Sequence, residues 1–389
     1  MLPTSSNSLK FWLERSADLP LTFTACPVVA QTYEAATDVM PVINRMAPHF
    51  SRVKYFKSYL AAGFLPIFFT ISMPLLQELE LLINDMAYRN PPFDPSVPLG
   101  ILHAPNLRRL RLYDLTLIQH AITPVLPSLK SLVIEANQSW TNPWLRPQSF
   151  QSLLAQCIFL QTCSIDFHPD SNFILDSVDS IVLPQLQSLQ LRWPSSFDPS
   201  SLLASLRLPN LTSLSICSDA TPSVSTPRFI SSLAGLVESA AQKLKSLTID
   251  GCLPAAVENV QSILRPLVNL EHLAFNDSSD ISALLAAITP PKSTGFSSWI
   301  CPNLVQVDVT GIRQGTTPWL VLRLAERRMN KRDGTPEYGG RFLRTLALPY
   351  DLKNVPKKTR MVLLCELRRI RPFLTIAGPF GDLLATLSD

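Results

Sequence analysis

The stretch Pro105-Asn106-Leu107-Arg108-Arg109-Leu110-Arg111-Leu112 is followed, 22 residues on, by Pro127-Ser128-Leu129-Lys130-Ser131-Leu132-Val133-Ile134, and the shared spacing x-P-x-L-x-x-L-x-L decides the fold. The last two apolar positions are two apart, as a strand with one buried face requires, and the first belongs to the turn that leads into it. The same spacing recurs at Pro74, Leu76, Leu79, Leu81; at Pro184, Leu186, Leu189, Leu191; and at Pro209, Leu211, Leu214, Ile216. Looser copies are Leu160, Cys163, Ile165; Leu244, Leu247, Ile249; Leu270, Leu273, Phe275; Leu304, Val307, Val309; Leu343, Leu346, Leu348; and Phe50, Val53, Tyr55. That makes eleven units with a mean spacing of about 29 residues.

This is the period of a leucine-rich repeat, in which no unit buries its apolar face alone and stacked neighbours share one core. The expected fold is α/β: a curved, right-handed leucine-rich repeat solenoid with parallel concave strands and convex helices or irregular segments. Helical spacing falls between the strands at Phe150, Leu153, Leu154, Cys157; at Phe229, Leu233, Leu236, Val237; at Val260, Ile263, Leu264; and at Ile281, Leu284, Leu285, Ile288. The recurring proline is expected to hold the incoming chain extended, where no ladder bond is donated. Three residues past the strand, small polar residues are expected to bond the turn at Ser58, Asn84, Asn137, Asp219, Cys252 and Ser278.

Composition agrees with a folded, repetitive chain. Of 389 residues, 46% are hydrophobic and 16% charged, with 63 Leu, 34 Pro and only 12 Gly, too few glycines for Gly-rich phosphate loops. The net charge of +4 excludes a global polycation and with it a general nucleic-acid binder. Seven scattered cysteines without a C-x-x-C signal neither a disulfide framework nor a zinc site. The first twenty residues carry Lys10, Glu14, Arg15 and Asp18 and no signal-peptide run, so the chain is expected in the cytoplasm or nucleus. The triplets at Asn137, Asn210 and Asn276 are then chance glycosylation matches. The uncharged run from Ser58 to Gln77 is broken by Pro66 and Pro74, which reads as buried helix and loop, not as a membrane span.

Three parts are expected: an N-terminal cap over 1–45, the repeats over 46–350 and a basic helical cap over 351–389. The N-terminal cap reads as a helix through Phe11, Trp12 and Leu13, then a strand from Leu19 to Phe23. Helices are also expected over Leu320 to Met329 and Met361 to Ile370. From Arg313 to Arg371 there are 15 Lys and Arg against 5 Asp and Glu, a net +10, leaving −6 for the rest of the chain. Arg327, Arg328, Arg368 and Arg369 therefore form a candidate patch for an acidic partner, with a solvated cap as the competing reading.

The sequence holds no phosphate-loop, nucleophile-elbow or zinc-protease motif, and its five histidines fall in different repeats; no enzyme activity, cofactor or metal is expected. His168 and His272 could pair with Asp166 and Glu271. The repeats instead offer a surface. Positions two, three and five of each unit point away from the core and read Gln77, Glu78, Glu80, then Arg108, Arg109, Arg111, then Lys130, Ser131, Val133. The candidate partner-binding residues are Glu78, Glu80, Arg108, Arg109, Arg111 and Tyr113, with Arg192 and Trp193 as possible anchors at the edge of the face.

The run Leu9-Lys10-Phe11-Trp12-Leu13-Glu14-Arg15-Ser16-Ala17-Asp18-Leu19-Pro20-Leu21, followed by Pro-x-Leu-x-x-Leu-x-Leu repeats, resembles the fungal F-box proteins with leucine-rich repeats. The resemblance implies a substrate-recognition part for a cullin-RING, SCF-type ubiquitin ligase, with the repeats holding a protein substrate. The F-box that would dock a Skp-type adaptor is expected to be missing, since only eight residues precede Leu9, so the adaptor is a partner only if an F-box lies outside this chain. An interaction scaffold independent of ubiquitin ligases is the alternative. A monomer that binds neither nucleic acid nor membrane is expected in either case.

Overall fold

The structure is a computed structural model, and it describes residues 6–25, 45–60, 72–83, 103–113, 127–135, 153–167, 180–195, 197–219, 226–252, 256–276, 282–289, 299–310, 323–324, 328, 343–347, 365 and 375–377. They fall in two compact units, Met1–Leu186 and Gln187–Asp389. The first holds α1 (Ser6–Arg15), β1 (Leu21–Ala25), a 3-10 turn (Ala47–Arg52), β2 (Val53–Leu60), β3 (Glu78–Ile83), β4 (Arg109–Tyr113), β5 (Ser131–Glu135) and β6 (Thr162–Asp166). Each strand pairs in parallel with the next in chain order.

The second unit repeats the plan with helices between strands. It holds β7 (Ser188–Trp193), α2 (Ser200–Ser205), β8 (Ser213–Ser218), α3 (Pro227–Ala240), β9 (Ser246–Asp250), α4 (Val257–Leu264), β10 (His272–Asn276), α5 (Ser282–Ile288), β11 (Gln306–Thr310), β12 (Thr345–Ala347) and β13 (Thr375–Ala377). Its strands are likewise parallel and in chain order. The architecture is thus α/β, with long runs of parallel strands, as a repeat stack requires. Among the described residues no helix is long and apolar enough to cross a membrane.

Register follows the repeat. Leu79, Leu110, Leu132 and Cys163 align across β3 to β6, as do Leu189, Leu214, Leu247, Leu273, Val307 and Leu346 in the second unit. All of these are buried, and the first-position leucines from Leu76 to Leu343 are sealed almost completely. Each fully buried leucine contributes about 1.5–3 kcal/mol, so the periodic leucines are the principal source of stability. Helices α3, α4 and α5 bury the residues expected from their spacing, including Leu233, Ile263 and Leu284. Thr226 caps α3, its hydroxyl accepting from the Phe229 N–H at 3.2 Å, with Pro227 in the first turn. Thr226→Ala should cost about 1 kcal/mol in a urea melt; an unchanged midpoint would show that the Thr226 hydroxyl does not stabilise α3.

Three expectations are corrected. The recurring proline is not extended: it is the second residue of a tight turn that the first leucine closes, with Leu76 N–H on Met73 O at 3.0 Å, Leu107 on Ala104 at 3.0 Å and Leu304 on Cys301 at 3.1 Å. Its fixed φ suits that turn position. In β2 the core residues are Val53, Phe56 and Ser58, each 0% exposed, so the unit starts at Val53 and not at Phe50. Pairing of Phe56 with Leu79 and of Ser58 with Leu81 sets this register, and it turns Tyr55 outward. Ser58 is accordingly a core-face residue of the strand and not a turn residue beyond it. The expected N-terminal helix is present as α1, running through Phe11, Trp12 and Leu13; its buried pair is Leu9 and Leu13, one turn apart, while Phe11 and Trp12 are 56% and 66% exposed. Of the expected C-terminal helices only isolated positions are described; Asn84, Asn137 and Ser278 lie outside the described residues.

Candidate functional site

Alternation along β2 to β5 sets a polar surface opposite the leucine core. Pairing places Lys57 beside Glu80, Glu80 beside Arg111, and Glu78 beside Arg109. The charges close on one another. Lys57 Nζ donates to Glu80 Oε1 at 2.8 Å, Arg109 to Glu78 at 3.1 Å, and Arg111 to Glu135 at 2.7 Å, with a second Arg111 nitrogen 4.0 Å from Glu80. The Arg111 guanidinium also lies over the Tyr113 ring, 4.8 Å from its centre. Its Nε is buried without a hydrogen-bond partner among the described residues.

The electrostatics follow from this crowding. Burial pushes the Tyr55 hydroxyl above its ordinary value, assisted by Glu80, and burial followed by Glu135 does the same for Tyr113. The Lys57 ammonium is raised chiefly by its hydrogen bond to Glu80. Burial works against the Arg111 charge, but the Glu135 hydrogen bond and the surrounding negative groups outweigh it and the net shift is upward. Arg109 and Arg111 are therefore committed within the sheet. Arg108 is exposed, and no ion pair engages it among the described residues.

The two edge anchors part company. Arg192 is exposed and pairs with Asp219 at 3.2 Å. Trp193 is 2% exposed and packs edge-to-face on Phe229, ring centres 6.0 Å apart, so it is a core residue and not an interface anchor. The reason is parity: Leu189, Leu191 and Trp193 alternate onto the same face of β7. The second candidate patch is corrected at Arg328. Arg328 is 0% exposed, its guanidinium donating to Ile288 O at 3.0 and 2.9 Å, to Cys301 O at 2.9 Å and to Ile300 O, with Trp299 alongside. Arg327, Arg368 and Arg369 lie outside the described residues.

In the second unit the polar face brings Ser246, His272 and Asp308 into line across β9, β10 and β11. Ser246 Oγ is 3.2 Å from His272 Nδ1, and His272 Nε2 is 2.7 Å from Asp308, to which Gln306 also donates at 2.7 Å. The expected partner Glu271 instead meets Lys245 at 3.6 Å; His168 lies outside the described residues. A Ser-His-Asp line can pass a proton, but acyl chemistry also needs donors for an oxyanion. The Ser246 and His272 N–H groups both donate to carbonyls, of Thr212 and Lys245, at 3.0 and 2.9 Å. An open groove of about 530 Å3 runs beside His272, lined by Glu271, Gln306 and Arg344.

A feature the sequence reading missed is an asparagine immediately before the first core leucine. Asn106 donates to Pro74 O at 2.8 Å, Asn269 to Gln242 O at 2.9 Å and Asn303 to Val268 O at 2.9 Å, each tying its turn to that of the preceding repeat. Its signal was the recurrence of Asn at that one position, four times with Asn210. Two buried thiols are chemically quiet: burial pushes Cys157 and Cys301 up to about 12, so neither is a nucleophile near neutral pH. Among the described residues no cluster could hold a metal ion.

No protein-family model matches the chain, and no curated protein matches it in sequence. Among solved structures it is similar to a chain of the crystal structure of the Rad7 and Elc1 complex in yeast, with 15% identity over 91% of this chain and 89% of that one, at a TM-score of 0.34. A likeness of that size carries no functional argument.

Proposed function

We propose that the chain is a non-catalytic protein-interaction module and that it forms the substrate-recognition part of an F-box/leucine-rich repeat protein of an SCF-type ubiquitin ligase in the cytoplasm or nucleus. The observation that carries the module reading is the alternation along each strand. It buries the leucines and leaves positions three and five as parallel polar columns, such as Tyr55, Glu78, Arg109 and Ser131, on an open face. The ligase assignment is supported by the Leu9 to Leu21 run. A curved, right-handed stack acting as a monomer completes the proposal.

The test inverts the pattern without opening it. Exchanging the pair as Glu78→Lys with Arg109→Glu keeps an exposed ion pair, so stability should move by less than about 1 kcal/mol. Partner binding by the exchanged variant, read by isothermal titration once a partner is in hand, should fall at least about tenfold. Full affinity in the exchanged variant would move the partner off this face. Co-purification of a Skp-type adaptor when an F-box is joined to the chain, with the partner becoming ubiquitinated, separates the ligase from a free-standing scaffold.

A further inference from the structure

Position two of each repeat forms its own file in the first unit. Gln77 N–H donates to Lys54 O, Arg108 to Gln77, Lys130 to Arg108 and Gln161 to Lys130, each at 2.8 Å. Backbone is thereby stacked on backbone at the strand spacing of about 4.8 Å, which sets Lys54, Gln77, Arg108, Lys130 and Gln161 side by side. The file contains three cations and no acid. Lys54, Arg108 and Lys130 are all exposed, and among the described residues none has an ion pair.

This differs from every neighbouring column. Lys57, Arg109 and Arg111 each meet a carboxylate of the same unit. In the second unit the corresponding file runs Gln187, Thr212, Lys245, Glu271, Val305, Arg344 and carries its own acid, Glu271, against Lys245. Among the described strand columns, this file of the first unit is thus the one that gathers three cations without an acid, while the second unit's file holds Lys245, Glu271 and Arg344. Two exposed apolar residues stand on the turns two residues ahead of file members Gln77 and Gln161: Leu75 at 43% and Phe159 at 50% exposure, each directly before a first core leucine.

We propose that this file is a docking strip for an extended acidic segment of the partner protein, with carboxylates on Lys54, Arg108 and Lys130 and apolar side chains against Leu75 and Phe159. The proposal rests on the interaction-module reading and names the chemistry of its partner. Alternate side chains of an extended chain recur about every 6.6–7 Å, within reach of cations one and two strand steps apart on flexible stems. Arg108 can fork onto a carboxylate, while the lysines act as point charges. Arg109 and Arg111 would first have to release the partners they hold. Because the strip is solvated, binding should be strongest at low salt and weaken as the screening length shortens.

The experiment uses the full chain and a short fluorescent peptide of Glu-Ser-Glu-Leu repeats, followed by anisotropy at low and physiological salt. Wild type should bind with marked salt dependence. The variant Lys54→Glu, Arg108→Glu, Lys130→Glu should bind at least about tenfold more weakly with an unchanged melting midpoint, and Arg344→Glu, a control in the second unit, within about twofold of wild type. Absence of wild-type binding at low salt, or equal loss in the control, overturns the strip. An oligothymidylate that binds more tightly than the peptide, and is lost in the same triple variant, overturns the acidic-peptide assignment in favour of nucleic acid. None of these outcomes bears on the Glu78 and Arg109 exchange, so the broader reading fails or stands separately.

Discussion

Replacing Arg328 by alanine is expected to destabilise the second unit by about 3–5 kcal/mol. The side chain is sealed from solvent and serves three backbone carbonyls at once, those of Ile288, Ile300 and Cys301. Ile288 is the last residue of α5, so its carbonyl is one that the helix cannot satisfy internally, and the cation lies where a helix C-terminus favours it. Truncation leaves these acceptors buried and empty beside a cavity the size of the lost stem. Burial alone opposes the charge, pushing the guanidinium down to about 10, which still leaves it protonated at neutral pH. Lysine has one ammonium and no planar fork, so Arg328→Lys should recover less than half of the loss. Urea titration of the three proteins checks this; an alanine variant within about 0.5 kcal/mol of wild type would show that the carbonyls find other donors.

Arg328 also marks where sequence reading stops. Its neighbours Arg327, Lys331 and Arg332 made it one of a basic run, and nothing local distinguishes the member that turns inward. The acceptors lie 27 to 40 residues away, and only the fold brings them together. The strands were legible because period-two burial is a property of the strand itself: Leu110 and Leu112, or Leu214 and Ile216, could face only one way. The register of β2 was not, since Phe50, Val53, Tyr55 and Val53, Phe56, Ser58 fit the spacing equally on one strand alone, and Ser58 is not apolar. Pairing of Phe56 with Leu79, with Phe23 stacked 4.9 Å from it, decides between them. The charged columns were legible as composition, but whether Arg109 and Arg108 are paired depends on which strand lies alongside.

Trp193→Ala is expected to cost about 3–5 kcal/mol, while the molecules that remain folded should bind a partner with unaltered affinity. The indole fills the core end of β7 against Phe229 of α3, so its removal opens space between a strand and the helix packed on it. Trp193→Phe retains the apolar body and an aromatic edge for Phe229, and should lose about 1–2 kcal/mol. Its difference fluorescence against wild type should be blue-shifted and resistant to aqueous quenchers, since the indole is 2% exposed. An interface tryptophan behaves oppositely: truncation leaves stability near wild type and weakens binding by 2 kcal/mol or more, on the order expected of a hot spot. The side chain two residues earlier makes the same distinction from within the sequence. Leu191 is a repeat leucine, and Trp193 shares its face by parity, so the alternation that names the core also names this tryptophan as part of it.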